Sequence, residues 1–267
     1  MTRLITAWIE DIQDTIKDFD KYLKDKTGLD LVALSAKASG FSSADIERAS
    51  SEISVAVVPI TTGLGIIDSF GKSVAAIVRS MGFKSFVTDS TDVDGIHEAY
   101  LRGANMVFIA DDKRFIAINL HKKKIADNNY ATALGYVTAL EGMEGSLASK
   151  EVLLLGYGAV GKEILNCLQK KGAAVTVYDK EEYKLILLSK SNILTIDHPD
   201  KIQHFRLIID ATSEGGWIHK NMMHPELRMV APGIPLSLDE EAFAAIEDRI
   251  VNDYLQIGVA VMLGLVL

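Results

Sequence analysis

The chain has 267 residues, a length nearer to two domains than to one at roughly 150 residues per domain. It is 48% hydrophobic and 24% charged, as ordinary globular proteins are, and with five prolines and no low-complexity tract we do not expect extensive disorder. The formal charge of −8 argues against nucleic acid as the main partner, because phosphate binding requires clustered Lys and Arg. A single cysteine, Cys167, excludes an intramolecular disulfide and a cysteine-framed zinc site.

No targeting signal is visible in residues 1–20, where acidic side chains interrupt any continuous apolar run. The most apolar stretch, Ile257 to Leu267, is shorter than the roughly 20 residues of a membrane span. We interpret it as a buried last helix, with a tail that touches a membrane or a partner subunit as the alternative. The expected location is the cytoplasm, with no membrane partner.

Apolar residues recur at intervals of three and four near the start of the chain, which predicts an amphipathic helix ending at Thr27–Gly28. The stripe consists of Ile5, Ile9, Ile12, Ile16, Phe19 and Leu23. A short second helix is expected over residues 29–38. Ser42 and Ser43 are candidate N-caps of a third helix.

From residue 54 the chain alternates between apolar runs and helical segments, which predicts parallel strands with right-handed crossovers. The expected strands are 55–58, 86–88 and 106–110, and the helices between them are 70–81 and 93–101. Residues 115–120 are a candidate further strand. Lys122–Lys124 indicates a solvated turn, with phosphate binding as the alternative, and a helix from Asn128 to about Gly142 is a candidate hinge.

The second half repeats this alternation. The expected strands are 152–155, 174–178, 207–209, 229–231 and 250–251, with a helix over 159–171 and another from residue 181. We therefore predict an α/β fold in two parts. Residues 1–145 would form an N-terminal helical segment plus a small parallel α/β domain, and residues 146–267 a Rossmann-type dinucleotide-binding domain. The last helix is a candidate to pack back on the first domain.

The strongest local signal is Gly156-Tyr-Gly158-Ala-Val-Gly161, which follows an apolar strand and opens a helix, as a dinucleotide site requires. Gly156 permits a tight turn, Gly158 lets the pyrophosphate approach the backbone, and Gly161 lets helix and strand pack closely. The helix N-terminus at Ala159 and Val160 would supply free N–H groups to the pyrophosphate.

An acidic residue at the end of the next strand is the second requirement, and Asp179 meets it. Its carboxylate would accept hydrogen bonds from the adenosine ribose hydroxyls and repel a 2′-phosphate, which favours NAD over NADP. Lys180 directly follows Asp179, and its positive charge weakens the argument for NAD over NADP. A turn residue at a strand end is the alternative for Asp179.

Two later strand ends are expected near the nicotinamide half of the cofactor. Ala211 and Thr212 are small residues over which it could lie, and Pro232 and Gly233 end the next strand. An ordinary strand-to-helix loop is the alternative for the second pair. The six His residues show no ligand spacing, so we predict no metal.

Ligands of such sheets bind at the carboxyl ends of the strands, and this rule selects two loops of the first half. Thr61, Thr62 and Gly63 offer N–H groups and hydroxyls for a carboxylate or amide. Asp111 and Asp112 offer carboxylates for an ammonium group. The alternative for Thr61–Gly63 is plain turn chemistry, and the alternative for Asp111 and Asp112 is a helix or turn cap.

Asn128 and Asn129 are candidate substrate ligands at the start of the long middle helix. Their amides could reach into a cleft between the domains, or they could simply cap that helix.

Several strings resemble the PylD family of pyrrolysine-biosynthesis dehydrogenases. They are Thr27–Asp30, Val58–Ile67, Gly82–Asp89 and Ala110–Asp112 in the first half, and Gly156–Gly161, Ala231–Pro235, Ile257–Gly258 and Met262–Leu263 in the second. The resemblance runs from about residue 4 to the end without large insertions. Leu64 stands where a polar residue is expected between Gly63 and Gly65.

The resemblance implies the last step of pyrrolysine synthesis. The substrate would be 3-methyl-D-ornithyl-Nε-L-lysine, a small amino-acid amide whose terminal amine is oxidised with NAD before ammonia leaves and the ring closes. Asp112 would be the catalytic residue, holding and orienting the cationic substrate. The resemblance also implies a homodimer.

Two other functions remain open on the sequence. A Rossmann dehydrogenase of another amino acid or imine would share the same fingerprint. A non-catalytic module that binds NAD would leave the Thr-Gly loop and the Asp111–Asp112 pair without a role.

Overall fold

A computed structural model describes residues 4–267 and contains two β-sheets with helices packed around them. Residues 1–3, which belong to the N-terminal stretch without a visible targeting signal and to the predicted first domain, lie outside the described residues. The first sheet contains β1 (Ser54–Val58), β2 (Lys84–Val87), β3 (Met106–Ala110), β4 (Phe115–Asn119) and β5 (Lys124–Asp127). The second contains β6 (Glu151–Leu155), β7 (Ala174–Tyr178), β8 (Leu194–Thr195), β9 (Leu207–Asp210), β10 (Arg228–Ala231) and β11 (Ile250–Asn252).

Ten α-helices connect and cover these strands within the described part of the chain. They are α1 (Ile12–Thr27), α2 (Leu31–Ser39), α3 (Ser43–Ser50), α4 (Phe70–Ser80), α5 (Asp92–Leu101), α6 (Asn128–Glu144), α7 (Ala159–Lys170), α8 (Glu182–Lys190), α9 (Glu240–Ile246) and α10 (Gln256–Val266).

The first sheet has the order β2-β1-β3-β4-β5. Its β2-β1-β3 part is parallel, as the strand–helix–strand alternation predicts. Strands β4 and β5 extend it in antiparallel fashion, so the sheet is mixed rather than wholly parallel. The reason is local: short turns join β3 to β4 and β4 to β5, and a short turn can connect only antiparallel neighbours.

Two other boundaries differ from the sequence expectation. The turn before β5 covers residues 120–123, so Lys124 already belongs to the strand. The first helix begins at Ile12 rather than near Ile5, because residues 6–8 form a separate 3₁₀ turn. It ends where expected, with Gly28 in the left-handed conformation at φ 74° that glycine adopts without strain.

The second sheet is parallel throughout and has the order β11-β10-β9-β6-β7-β8. This is the doubly wound order of dinucleotide-binding domains, in which the first strand, here β6, lies at the centre, where the order of the strands reverses. The predicted α/β class with a Rossmann-type second half is therefore confirmed. The short β8 is an element that the sequence pattern did not predict.

Helices α6 and α10 lie between the two sheets. Helix α6 packs against α7 of the second half and against α1 and α2 of the first, and α10 packs against α2, α4 and α6. Glycines allow these close approaches: a Cβ at Gly135 would lie 2.4 Å from Ile257, and one at Gly264 would lie 2.5 Å from Ser35 Oγ. A continuous core of buried side chains consequently runs from the first sheet through α6 and α10 to the second.

A buried carboxylate at the end of α6 ties this helix to the second sheet. The Glu144 side chain is only 5% exposed and forms ion pairs with Lys150, Arg206 and Arg228. Burial acts to raise the pKa of Glu144, but the hydrogen bonds from Lys150 and Arg206 and the nearby positive charges hold it below its usual value. Among residues 4–267, no helix is both long and apolar enough to cross a membrane.

Candidate active site

A cleft of about 660 Å³ lies where the carboxyl ends of the strands in the two sheets face each other. The first half contributes the loops after β1 and β3 and the N-terminus of α4. The second half contributes the turn after β6 and the loops after β9, β10 and β11, while the starts of α6 and α10 also line it. All these loops follow strand ends, where ligands of open α/β sheets bind.

The glycine turn after β6 has the geometry that a dinucleotide requires. Gly156 has a φ of 86°, and a Cβ there would lie 2.8 Å from the Ala211 carbonyl oxygen. A Cβ at Gly161 would lie 2.1 Å from the carbonyl oxygen of Gly156, so helix α7 packs directly on the turn. At Gly158, by contrast, a Cβ would meet nothing within 4 Å, which leaves the backbone open to a pyrophosphate.

The N-terminus of α7 faces the cleft through Ala159 and Val160. Its first N–H groups have no partner inside the helix and carry a partial positive charge, so they suit an anionic ligand. These residues therefore fit a dinucleotide cofactor by their shape as well as by their sequence.

Asp179 lies just beyond β7, directly beside the glycine turn, and is 7% exposed. Its carboxylate accepts hydrogen bonds from the backbone N–H groups of Tyr157 at 2.7 Å and Glu181 at 2.9 Å. The Lys184 ammonium lies 3.2 Å away. These partners fix the carboxylate beside the glycine turn, and Asp179 itself lies outside the cleft lining.

The loops after β9 and β10 meet beside the turn, as the strand order requires. Thr212 donates its backbone N–H at 2.9 Å and its hydroxyl at 2.6 Å to Asp210 Oδ1. Asp210 is fully buried, and burial raises its pKa. A Cβ at Gly233 would lie 2.4 Å from the Thr212 carbonyl oxygen. Ala211, Thr212, Pro232 and Gly233 consequently form one continuous wall of the cleft.

On the opposite wall, Asp112 lines the cleft and joins the two loops that the strand-end rule selects. Its Oδ2 accepts a hydrogen bond from the Leu64 N–H at 2.5 Å. Asp111 has a different environment, because its Oδ1 accepts the N–H groups of Lys113 and Arg114 at 2.8 and 2.7 Å. These two hydrogen bonds hold the pKa of Asp111 below its usual value, so its carboxylate stabilises the β3–β4 turn while also bordering the cleft.

The Thr-Gly loop contributes to the cleft through residues other than those expected. Thr61 donates its N–H and hydroxyl to Asp92 at 2.9 and 2.6 Å, and Thr61, Thr62 and Gly63 lie outside the lining. Residues 65–72 line it instead. The physical reason is that Asp92 begins α5 and attracts the start of the loop away from the opening.

The two predicted asparagines, Asn128 and Asn129, differ in their position relative to the cleft. Asn128 lines the cleft next to Gly258, where a Cβ would lie 2.8 Å from Asn128 Oδ1. Asn129 lies outside the lining, because successive helix residues point in different directions. The cap of α6 is neither of them: Asp127 accepts the Asn129 N–H at 2.9 Å.

Asp253 is a cleft residue that sequence reasoning missed. It follows β11, and its Oδ2 accepts the Ile257 N–H at 2.8 Å at the start of α10. Its own N–H donates to the hydroxyl of the buried Tyr136 at 3.0 Å. Burial raises the pKa of Asp253 to about 6. The strand-end rule, applied to the last strand, would have found it.

Comparison with known proteins decides the family. Residues 8–126 match the family model described as pyrrolysine biosynthesis protein PylD, N-terminal domain. The chain is 34% identical over 250 residues to pyrrolysine synthase from Methanosarcina barkeri (strain Fusaro), covering 93% of this chain and 91% of that protein. This chain belongs to the PylD family. Pyrrolysine synthase from Methanosarcina acetivorans is 32% identical over 264 residues, covering 98% of both chains.

The predicted resemblance to PylD is therefore confirmed over nearly the whole chain. Solved structures show that the fold is dehydrogenase-like. Shikimate dehydrogenase from Aquifex aeolicus matches with a TM-score of 0.52 at 12% identity, covering 79% of this chain and 89% of that one. Quinate dehydrogenase from Corynebacterium glutamicum, solved with NAD, matches with a TM-score of 0.52 at 13% identity, covering 80% and 92%.

Proposed function

We propose that this PylD-family protein catalyses the last step of pyrrolysine biosynthesis. In this reaction the terminal amine of 3-methyl-D-ornithyl-Nε-L-lysine is oxidised with NAD, ammonia leaves, and the free α-amine closes the pyrroline ring. The observation that supports it most directly is the single cleft that unites the glycine turn at Gly158 with the carboxylates of Asp112 and Asp253. A dinucleotide and a cationic chain could meet there.

The second half would hold the cofactor, which supplies a hydride acceptor when bound. The N–H groups at the start of α7 would bind the pyrophosphate, and Asp179 would accept from the ribose hydroxyls. Ala211, Thr212, Pro232 and Gly233 would line the nicotinamide end. A buried carboxylate at the ribose position favours NAD over NADP, because it repels a 2′-phosphate.

The carboxylate of Asp112 would hold the positively charged end of the substrate. Hydride leaves readily only from a carbon that bears a neutral amine, and an amine resembling Lys has a pKa near 10. At pH 7 about one molecule in a thousand is neutral, a cost of roughly 4 kcal/mol. A nearby carboxylate raises the amine pKa further, so we assign Asp112 to binding and orientation rather than to deprotonation.

Asp253 is the better candidate to accept the proton of the amine. A carboxylate whose pKa is about 6 is more basic than an exposed aspartate by about 2 pH units, which makes the transfer less unfavourable by roughly 3 kcal/mol. Ring closure itself requires no protein nucleophile. Positioning of the α-amine near the oxidised carbon would supply much of the acceleration.

The decisive experiment uses the purified full-length chain with NAD and the synthetic lysine–methylornithine amide. We expect NADH absorbance to rise and mass spectrometry to detect pyrrolysine and ammonium in equal amounts. NADH formation only with a different amino acid would identify another dehydrogenase. Cofactor binding without turnover of any amine would identify a non-catalytic NAD-binding module.

We further propose that the protein acts as a homodimer, which is what its family resemblance implies. Light scattering coupled to gel filtration should give twice the chain mass of 29.1 kDa. A monomer at assay concentrations would contradict this part of the proposal.

A further inference from the structure

We propose that Glu214 is a second determinant of the preference for NAD, which it secures by neutralising Lys180 beside the ribose-binding Asp179. This inference rests on the proposed NAD-dependent function. It concerns a residue outside the glycine motif, and the sequence pattern by itself assigns Glu214 no role.

The topology places Glu214 and Lys180 on two sides of the glycine turn. Strands β7 and β9 are the two neighbours of β6, so the loops that follow them flank the turn after β6. Lys180 directly follows Asp179 in the first loop, and Glu214 lies in the second. The Lys180 ammonium donates a hydrogen bond to Glu214 Oε1, which joins the two loops beside the glycine turn.

Both lysines near Asp179 are engaged by carboxylates. Lys184 contacts Asp179 at 3.2 Å and Glu181 at 2.5 Å. Lys180 is held by Glu214, and this hydrogen bond raises the pKa of Lys180. Lys180 and Lys184, the two lysines that follow Asp179 in the chain, are therefore each paired with a carboxylate.

The consequence for cofactor choice follows from charge. NADP differs from NAD by a 2′-phosphate, and a lysine ammonium binds phosphate as a point charge. Lys180 is 64% exposed at its side chain, next to the residue that would contact the 2′-hydroxyl, so it could bind that phosphate if it were released. Glu214 both occupies Lys180 and adds a negative charge that repels the phosphate.

The test is Glu214→Gln, measured by binding of NADH and NADPH to the full-length protein through cofactor fluorescence. Exposed ion pairs are worth up to about 1 kcal/mol, so the Kd of NADPH should fall about threefold to fivefold. The Kd of NADH should change by less than about twofold, because NADH lacks the 2′-phosphate. Asp197→Asn is the matched control, since it removes one carboxylate from the exposed Lys201–Asp197 pair.

A double variant, Glu214→Gln with Lys180→Met, shows whether Lys180 causes the gain. The double variant should lose most of the improvement in NADPH binding. Two results would overturn the role of the pair: an unchanged ratio of the NADPH and NADH dissociation constants in Glu214→Gln, or improved NADPH binding that persists without Lys180. Either result would leave the NAD-dependent function standing. A wild type that binds neither cofactor would refute both.

Discussion

Gly63 packs directly against the carboxylate of Asp112, so closely that a Cβ at residue 63 would lie 2.0 Å from Asp112 Oδ2. The neighbouring N–H, that of Leu64, donates to the same oxygen at 2.5 Å. The loop after β1 and the turn after β3 thus meet at one point on the cleft wall. The position of the candidate catalytic carboxylate depends on the absence of a side chain at residue 63.

Gly63→Ala should therefore displace Asp112 and lower kcat/KM for the amine substrate at least about tenfold, equivalent to 1.4 kcal/mol. Gly65→Ala is the matched control. Both glycines have a φ of 83°, so both substitutions cost about 1–2 kcal/mol of backbone strain, but a Cβ at Gly65 meets nothing within 4 Å. Equal losses of kcat/KM in the two variants would show that loop strain, rather than contact with Asp112, controls activity.

Asp112→Asn should raise KM for the amine substrate roughly tenfold or more, because a hydrogen bond to a charged group contributes about 1.5–3 kcal/mol. The amide oxygen can still accept the Leu64 N–H, so the loop should keep its place and NAD affinity should not change. Asp111→Asn is the comparison, and it should mainly affect the β3–β4 turn. Wild-type KM values in both variants would mean that the acidic pair serves turn geometry alone.

Gly158→Val should weaken NAD binding at least about tenfold without unfolding the protein. Gly158 has an ordinary φ of −85°, and the space around its missing Cβ is open, so valine clashes only with a bound pyrophosphate. Gly158→Ala also removes the glycine favoured at a helix N-cap but adds a smaller side chain than valine. Its NAD affinity should therefore lie between those of the wild type and the valine variant. Calorimetry measures both constants, and wild-type affinity in the valine variant would show that the pyrophosphate lies elsewhere.

Asp253→Asn should remove a loss of folding stability that the wild type undergoes as pH rises. The pKa of Asp253 is about 6 in the folded protein and about 3.9 when unfolded, so the folded state binds more protons between these values. The stabilising effect of its protonated form is complete below about pH 4 and is lost as pH rises through about 6. The variant should gain up to about 3 kcal/mol relative to wild type between pH 4 and pH 7, measured by urea unfolding.

Asp45→Asn provides a control of opposite sign for this measurement. Hydrogen bonds from Ser42 hold the pKa of Asp45 below its usual value, so its contribution is present at neutral pH and lost as pH falls. The stability of the Asp45 variant relative to wild type should therefore fall as pH rises towards about 4, which is below the range in which Asp253→Asn gains, and it should stay nearly constant from there to pH 7. A stability difference for Asp253→Asn that does not vary with pH would contradict the raised pKa.

Much of the fold follows from local patterns in the chain. Apolar runs at 55–58 and 152–155 mark interior strands, and two of the glycines after the second run, Gly156 and Gly161, lie where a Cβ would clash with neighbouring backbone. The antiparallel β5 was harder to predict. Its alternation is short, with Ile125 exposed and Ala126 buried, and three lysines obscure its start.

The α/β class, the dinucleotide turn at 156–161 and the family can all be predicted from the chain, because they depend on residue types at fixed short spacings. Which polar side chains share the cleft depends instead on how the two halves pack. The tertiary structure turned Thr61 towards Asp92, separated Asn128 from Asn129, and brought Asp253 opposite the first half. The physical reason is that packing of α6 and α10 between the sheets sets these directions, and contacts between distant segments leave no periodic trace in the chain.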